Sequence, residues 1–466
     1  MKYKKITNSD ITFFIKTLSE ENVFCSEADL KKYSHDETED LSYLPEIVLK
    51  PCSTKEISEC LEYCNKQNIP VTACGARTGL SGGSIPLHGG VALSVENLNK
   101  IISIDKENLQ ATVESGVINQ NFKSEVEKSG LFYPPDPASL GSCMLGGNVA
   151  ENSGGPKALK YGVTRDYVLN LEVVLADGSI IWTGANVLKN ATGYSLTDLI
   201  VGSEGTLAVI TKIVFKLIAL PPKSATMLIP FKSAEDACKS VSIIFNSGIV
   251  PCALEFMERD ALLLAVEYSQ NTIIVEDDEK AHLLIEVDGD NMNSIFSVFE
   301  NISKLLSQFN LGEIKIAETH KEKEKIWKLR RLIGEAVKKH SIYKEEDTVV
   351  PRFQLPKLLL GVKEIGKKYN FRSICYGHAG DGNLHVNILK ENNSDEFWNN
   401  NVKLAIREIF KLTKFLGGTI SGEHGIGLVQ KEYLEIVFGK KMISLHKEIK
   451  KVFDPNGILN PGKIFD

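Results

Sequence analysis

The sequence predicts an α+β protein of two domains, on three observations: its length, the alternation of short strands with helices, and a Pro-Pro break near the middle. At 466 residues the chain exceeds what one hydrophobic core serves. Its apolar fraction of 43% and charged fraction of 24% are those of an ordinary globular protein. Pro221-Pro222 marks the boundary, because two consecutive prolines cannot continue a central strand.

The first forty residues read as helical, with Ile11, Phe14, Ile15 and Leu18 at helix spacing. Ile47-Val48-Leu49 reads as a strand, Ser53-Thr54 opens a helix carrying Ile57 and Leu61, and a strand follows at Ile69-Pro70-Val71. Short strands then dominate to about residue 220, including a hairpin through Asp177-Gly178. Beyond Pro222 the pattern alternates. Strands are expected at Met227 to Pro230, His282 to Val287 and Ser373 to Tyr376, and helices at Ala234 to Phe245, Ser294 to Leu306 and Lys321 to Lys339.

Charge excludes nucleic acid as the main partner: the net charge is −6, and Lys and Arg are scattered rather than striped. The basic start Met1-Lys2-Tyr3-Lys4-Lys5 has no apolar run behind it, and no stretch approaches the ~20 apolar residues of a membrane span. The nine cysteines are dispersed without a CxxC pair, which suits reduced thiols. The expectation is a cytoplasmic protein, with peripheral membrane association through a partner left open.

Chemistry enters with glycine. The loop Gly75-Ala76-Arg77-Thr78-Gly79-Leu80-Ser81-Gly82-Gly83 follows a predicted strand, and its backbone amides can approach a pyrophosphate because few Cβ atoms intervene. It is not GxGxxG opening a helix, since Ser84-Ile85-Pro86 blocks one, and it lacks the lysine of a P-loop. Two more glycine-rich stretches follow: Pro134 to Gly155, continuing through Gly162 and Thr164, and Gly202-Ser203-Glu204-Gly205-Thr206. Three such segments in one domain suit an extended ligand lying against backbone.

Taken in order, these motifs resemble the FAD-binding domain of the vanillyl-alcohol oxidase/p-cresol methylhydroxylase (PCMH) flavoprotein superfamily. The resemblance implies FAD with its pyrophosphate on Gly75, Ala76, Arg77, Thr78, Gly79, Ser81 and Gly82. Pro135, Asp136, Ser139, Gly146 and Asn148 would follow the cofactor toward the flavin. Ser153, Gly155, Gly162, Thr164, Glu204, Gly205 and Ile210 would continue the contacts. Many relatives tether the flavin through a histidine in the first loop. This loop has none, and His88 lies beyond it, so FAD is expected to be non-covalent.

A second constellation lies in the C-terminal half, in Gly377-His378-Ala379-Gly380-Asp381-Gly382-Asn383-Leu384-His385-Val386-Asn387 and Ser421-Gly422-Glu423-His424-Gly425. Imidazole and carboxylate together suit Zn²⁺, Mn²⁺ or Fe²⁺, and two histidines with one glutamate leave coordination positions for a substrate. With the ending Asp454-Pro455-Asn456-Gly457-Ile458-Leu459-Asn460-Pro461-Gly462, these motifs resemble the FAD-linked D-2-hydroxy-acid dehydrogenases of the D-lactate dehydrogenase and glycolate oxidase type. The resemblance implies His378, His385 and Glu423 as ligands of one divalent metal, His424 as base, Asn387 as a substrate hydrogen-bond donor, and Asn460 returning to the flavin. Arg330 would grip the substrate carboxylate. Lys344 falls near a position that binds the distal carboxylate in hydroxyglutarate enzymes, but Gly334 replaces that family's threonine, which favours lactate or glycolate.

The implied architecture is a helical extension over 1–40, a PCMH-type FAD domain over 41–220, a substrate-capping domain on an antiparallel sheet over 221–450, and a segment over 451–466 returning to the FAD domain. The implied reaction is hydride transfer from C2 of a small D-2-hydroxy acid, with D-lactate as first choice, to flavin N5. Electrons would pass to an electron-transferring flavoprotein, a quinone or an iron–sulfur subunit. Rival readings are a glycolate or D-2-hydroxyglutarate dehydrogenase, an alkylglycerone-phosphate synthase, and a non-catalytic FAD subunit.

Overall fold

The computed structural model describes residues 3–270 and 273–465. They form two compact units: Met1–Gly154, Val163–Leu220 and Glu423–Asp466 in the first, Gly155–Gly162 and Pro221–Gly422 in the second. The expected closing segment at 451 thus starts earlier, at Glu423, and Gly155–Gly162 groups with the second unit.

In the first unit, a four-stranded sheet runs in the order Val23–Phe24, Ile47–Leu49, Val91–Ser94, Val71–Cys74, parallel after its first pair. Helix Thr54–Gln67 starts where the Ser53 hydroxyl accepts the Glu56 amide, and buries the stripe Ile57, Cys60, Leu61 and Cys64. A second, antiparallel sheet has the order Ile101–Asp105, Gln110–Glu114, Val209–Lys216, Val168–Val174, Ile180–Trp182, its last pair being the Asp177-Gly178 hairpin.

The N-terminal residues are no loose extension. Phe14 and Leu18, from helix Asn8–Leu18, share a core with Ile47, Leu49 and Leu93. Burial pushes the Asp10 carboxyl up, but hydrogen bonds from Lys4, Thr7 and Tyr63 outweigh it and hold the group at about 2. The chain end joins the same core: Ile458 and Leu459 are buried there, Leu459 bridges Val71, and Lys450 Nζ donates to the Thr206 and Leu459 carbonyls.

The second unit is built on a seven-stranded antiparallel sheet, ordered Lys315–Ala317, Lys223–Phe231, Ala281–Gly289, Ala253–Glu258, Arg372–Gly377, Asn383–Leu389, Tyr343–Val349. Helices Arg259–Ser269 and His320–His340 cover one face, packing Leu262, Trp327, Ile333 and Val337 on Leu284, Ile374 and Leu389. Helix His320–His340 begins at a Thr319–Glu322 capping box, and its buried stripe carries Arg330 inward with Trp327 and Ile333. Among the described residues, no helix is long and apolar enough to cross a membrane.

Candidate active site

Within the first unit the three glycine-rich segments line one cavity of about 1260 Å³, its open mouth included. Gly75, Ala76, Arg77, Thr78 and Gly79 form one wall, Ser139, Gly146, Asn148 and Ser153 another, and Glu204, Gly205 and Ile210 a third. Glu423 and His424 lie at the same cavity. Arg77 takes the left-handed conformation (φ +59°), and its guanidinium lies over the Tyr33 ring, 4.1 Å from the centroid.

The cavity fits a flavin dinucleotide on two observations. A Cβ built on Gly147 would meet nothing within 4 Å, and at Gly75 the nearest atom would be 3.7 Å away, so both glycines leave room for a ligand. Ser115 Oγ and Asn148 Nδ2, both lining the cavity, are buried without a hydrogen-bond partner in the protein. Buried polar atoms of this kind are rarely left unsatisfied, and a polar ligand satisfies them.

Other expected cofactor residues serve the wall rather than its surface. Ser81 O accepts from Leu428 N at 2.8 Å, and Gly82 (φ +78°) packs on Leu428. Lys123, buried and unforeseen, donates to the Pro134 and Pro135 carbonyls and so holds the segment containing Asp136. Thr164 Oγ1 donates to Ser153 O. Gly155 and Gly162 lie in the second unit and are not in this cavity. Asn460 acts as a buckle: Nδ2 donates to Gly83 O and Glu204 O, while Oδ1 accepts from Lys463. Its amide thus ties two glycine loops together.

Glu204 lines the cavity, and its carboxylate serves the neighbouring turn. It accepts from Ile426 N at 2.8 Å and Gly427 N at 2.7 Å, fixing the turn that follows His424. Gly425 (φ +81°) belongs to this turn, and a Cβ there would come within 2.4 Å of Glu151 Oε2. Residues 422–424 are a bend, so Glu423 and His424 need not point to opposite sides as they would in a strand. Burial and the neighbouring Glu204 charge raise the Glu151 carboxyl well above the usual range, and burial lowers Lys463 to about 8 despite the surrounding acids.

The second unit gathers the other predicted residues on one sheet face. Strands Arg372–Gly377 and Asn383–Leu389 flank the tight turn Ala379–Asp381, which brings the His378 and His385 rings to 5.4 Å. His378 Nδ1 lies 2.9 Å from both oxygens of Glu255, and His385 Nδ1 lies 3.5 Å from Glu345 and 3.8 Å from Asp347. A carboxylate only accepts, so Glu255 favours the proton on His378 Nδ1 and the lone pair on its Nε2. Glu255 also receives Arg330, with Nε at 2.8 Å and Nη2 at 2.7 Å. Burial pushes the Glu255 carboxyl up, but its interactions with His378 and Arg330 hold it below its ordinary value. Asn387 is fully buried on this face, its Oδ1 without a protein partner.

Register separates Lys344 from this group. Glu345 pairs with Asn387 and Asp347 with His385, whereas Lys344 pairs with Ile388. Alternate residues point to opposite faces, so Lys344 lies on the other side of the sheet and Glu345 takes the place expected for it. Asp347 accepts from Gly422 N at 2.8 Å and from Asn383 Nδ2 at 2.7 Å, anchoring the residue that precedes Glu423.

Glu255, Glu345, Asp347 and Tyr376 were missed in the sequence. Glu255 left a signal: it is a lone carboxylate in the apolar run Ala253-Leu254-Glu255-Phe256-Met257, and a buried acid needs a partner.

The comparisons agree with this architecture. The model of FAD linked oxidases, C-terminal domain, matches residues 220–464, and that of the FAD binding domain matches 45–184. Glycolate oxidase subunit GlcD of Bacillus subtilis is 40% identical over 97% of this chain and 95% of its own length. The D-lactate dehydrogenase of Anaerostipes hadrus is 36% identical over 99% and 98%. A solved p-cresol methylhydroxylase superposes with a TM-score of 0.79 over 100% of this chain and 98% of its own, at 17% identity, and so shows the fold alone. Motifs, fold and full-length similarity converge: the chain belongs to the FAD-linked oxidases and is an FAD-dependent oxidoreductase.

Proposed function

We propose that this protein oxidises a small D-2-hydroxy acid, D-lactate being the first choice, and passes the electrons to a protein or quinone acceptor. Relatives named glycolate oxidase, D-lactate dehydrogenase and D-2-hydroxyglutarate dehydrogenase support the substrate class. The observation that carries the reading is the pair His378 and His385, with rings 5.4 Å apart, in a buried cluster with Arg330 and Asn387 in which Glu255 holds both His378 Nδ1 and Arg330.

His378, His385 and Glu423 would hold one divalent Zn, Mn or Fe ion. When bound, such an ion supplies Lewis acidity toward the substrate hydroxyl. FAD, held without a covalent link, supplies the hydride acceptor. Arg330 fixes the substrate carboxylate while Glu255 keeps its guanidinium oriented, and Asn387 donates a hydrogen bond. His424, steadied by the Glu204-anchored turn, takes the hydroxyl proton.

Chelation tests the metal. Removing it is expected to abolish turnover while FAD stays bound, and elemental analysis to find close to one transition metal per chain, lost in His378→Ala. Full activity in a demonstrably metal-free preparation would end the proposal.

A further inference from the structure

We infer that Glu345 determines specificity, restricting the substrate to a monocarboxylate by repelling a second carboxylate; this rests on the hydroxy-acid reading above. The side chain of Glu345 is only 9% exposed. It stands opposite Asn387 in the strand register, on the face that carries His385. Tyr376 connects it to the residue proposed to hold the substrate carboxylate. The Arg330 guanidinium lies 4.9 Å from the Tyr376 ring centroid, and the Tyr376 hydroxyl donates to Glu345 Oε1 at 3.3 Å.

The same hydroxyl limits room beside Arg330. Gly334 lies one helical turn beyond it, and a Cβ built there would sit 3.4 Å from Tyr376 Oη. With one carboxylate on Arg330, the far end of the molecule meets a phenol hydroxyl and a nearly buried carboxylate. The positive charge at this end of the face, Arg330, is already shared with Glu255. A methyl group or a hydrogen on C2 is tolerated there. A second carboxylate is desolvated next to Glu345 with a like charge as neighbour, which is how sites reject a competitor.

The test uses the FAD-loaded, metal-replete protein with D-lactate against D-malate and D-2-hydroxyglutarate. The wild type is expected to favour the monocarboxylate in kcat/KM. Glu345→Gln is expected to narrow that preference by about tenfold or more, the size of a removed like-charge contact. Tyr376→Phe, which keeps the charge, is expected to retain most of it. Because Glu345 also faces His385, the ratio of substrates is read rather than absolute activity.

A second readout needs no variant. Pyruvate should perturb the wild-type flavin spectrum at lower concentration than 2-oxoglutarate does. An unchanged substrate ratio in Glu345→Gln, or 2-oxoglutarate binding as tightly as pyruvate, overturns the inference. Failure of the hydroxy-acid reading looks different: no 2-hydroxy acid of either class would reduce the wild-type flavin.

Discussion

Replacing His424 with alanine is expected to lower kcat by a factor of roughly 10²–10⁴, the usual contribution of a positioned general base. Metal content and the substrate-induced change in the flavin spectrum should stay near those of the wild type, because the proton would be transferred only in the transition state. The effect is confined to chemistry for a structural reason. The turn after His424 is fixed by Glu204 through the Ile426 and Gly427 amides, so truncating one side chain leaves the loop in place. Glu423→Ala should behave in the opposite way and release the metal. Metal loss in His424→Ala, with the metal retained in Glu423→Ala, would show that the two roles are exchanged.

Glu255→Ala is expected to be the most damaging single change in the second unit. It leaves Arg330, 6% exposed, without its partner, and breaking a buried ion pair from one side costs about 3–5 kcal/mol. Denaturant unfolding reads that loss. Glu255→Gln separates stability from chemistry: it preserves shape but cannot enforce an Nδ1 proton on His378, so metal affinity should fall roughly 10–100-fold. Arg330, less firmly held, should raise KM in the same variant. A Gln variant with wild-type metal affinity and KM would reduce Glu255 to a packing residue.

Much of this was legible in the sequence, and the limits have physical causes. The glycine loops were readable because glycine at dense spacing has few purposes. The segment with His378 and His385 announced itself by composition, though its strand Asn383–Leu389 was not foreseen. Strand Ala253–Glu258 did not: its apolar run resembles any buried segment, and Glu255 gains meaning only when Arg372–Gly377 pairs beside it. Lys344 and Glu345 illustrate the sharpest limit. A lysine next to an acid satisfies a motif in either order, but strand register admits one of them to the site face, and a one-residue slip reverses the charge presented there. Asn460 and Glu204 were found as residues, yet their side chains bind loops of the protein, since the sequence cannot say whether an amide faces a cofactor or a carbonyl.

The reaction itself is tested most directly by mixing the FAD-loaded, metal-replete protein with D-lactate in the absence of oxygen and of any acceptor. Hydride transfer bleaches the visible flavin band in a single turnover, and His424→Ala slows that bleaching without preventing the substrate from binding. A flavin that stays fully oxidised with D-lactate, glycolate and D-2-hydroxyglutarate, in protein shown to contain both FAD and metal, would contradict the assignment of a 2-hydroxy-acid dehydrogenase.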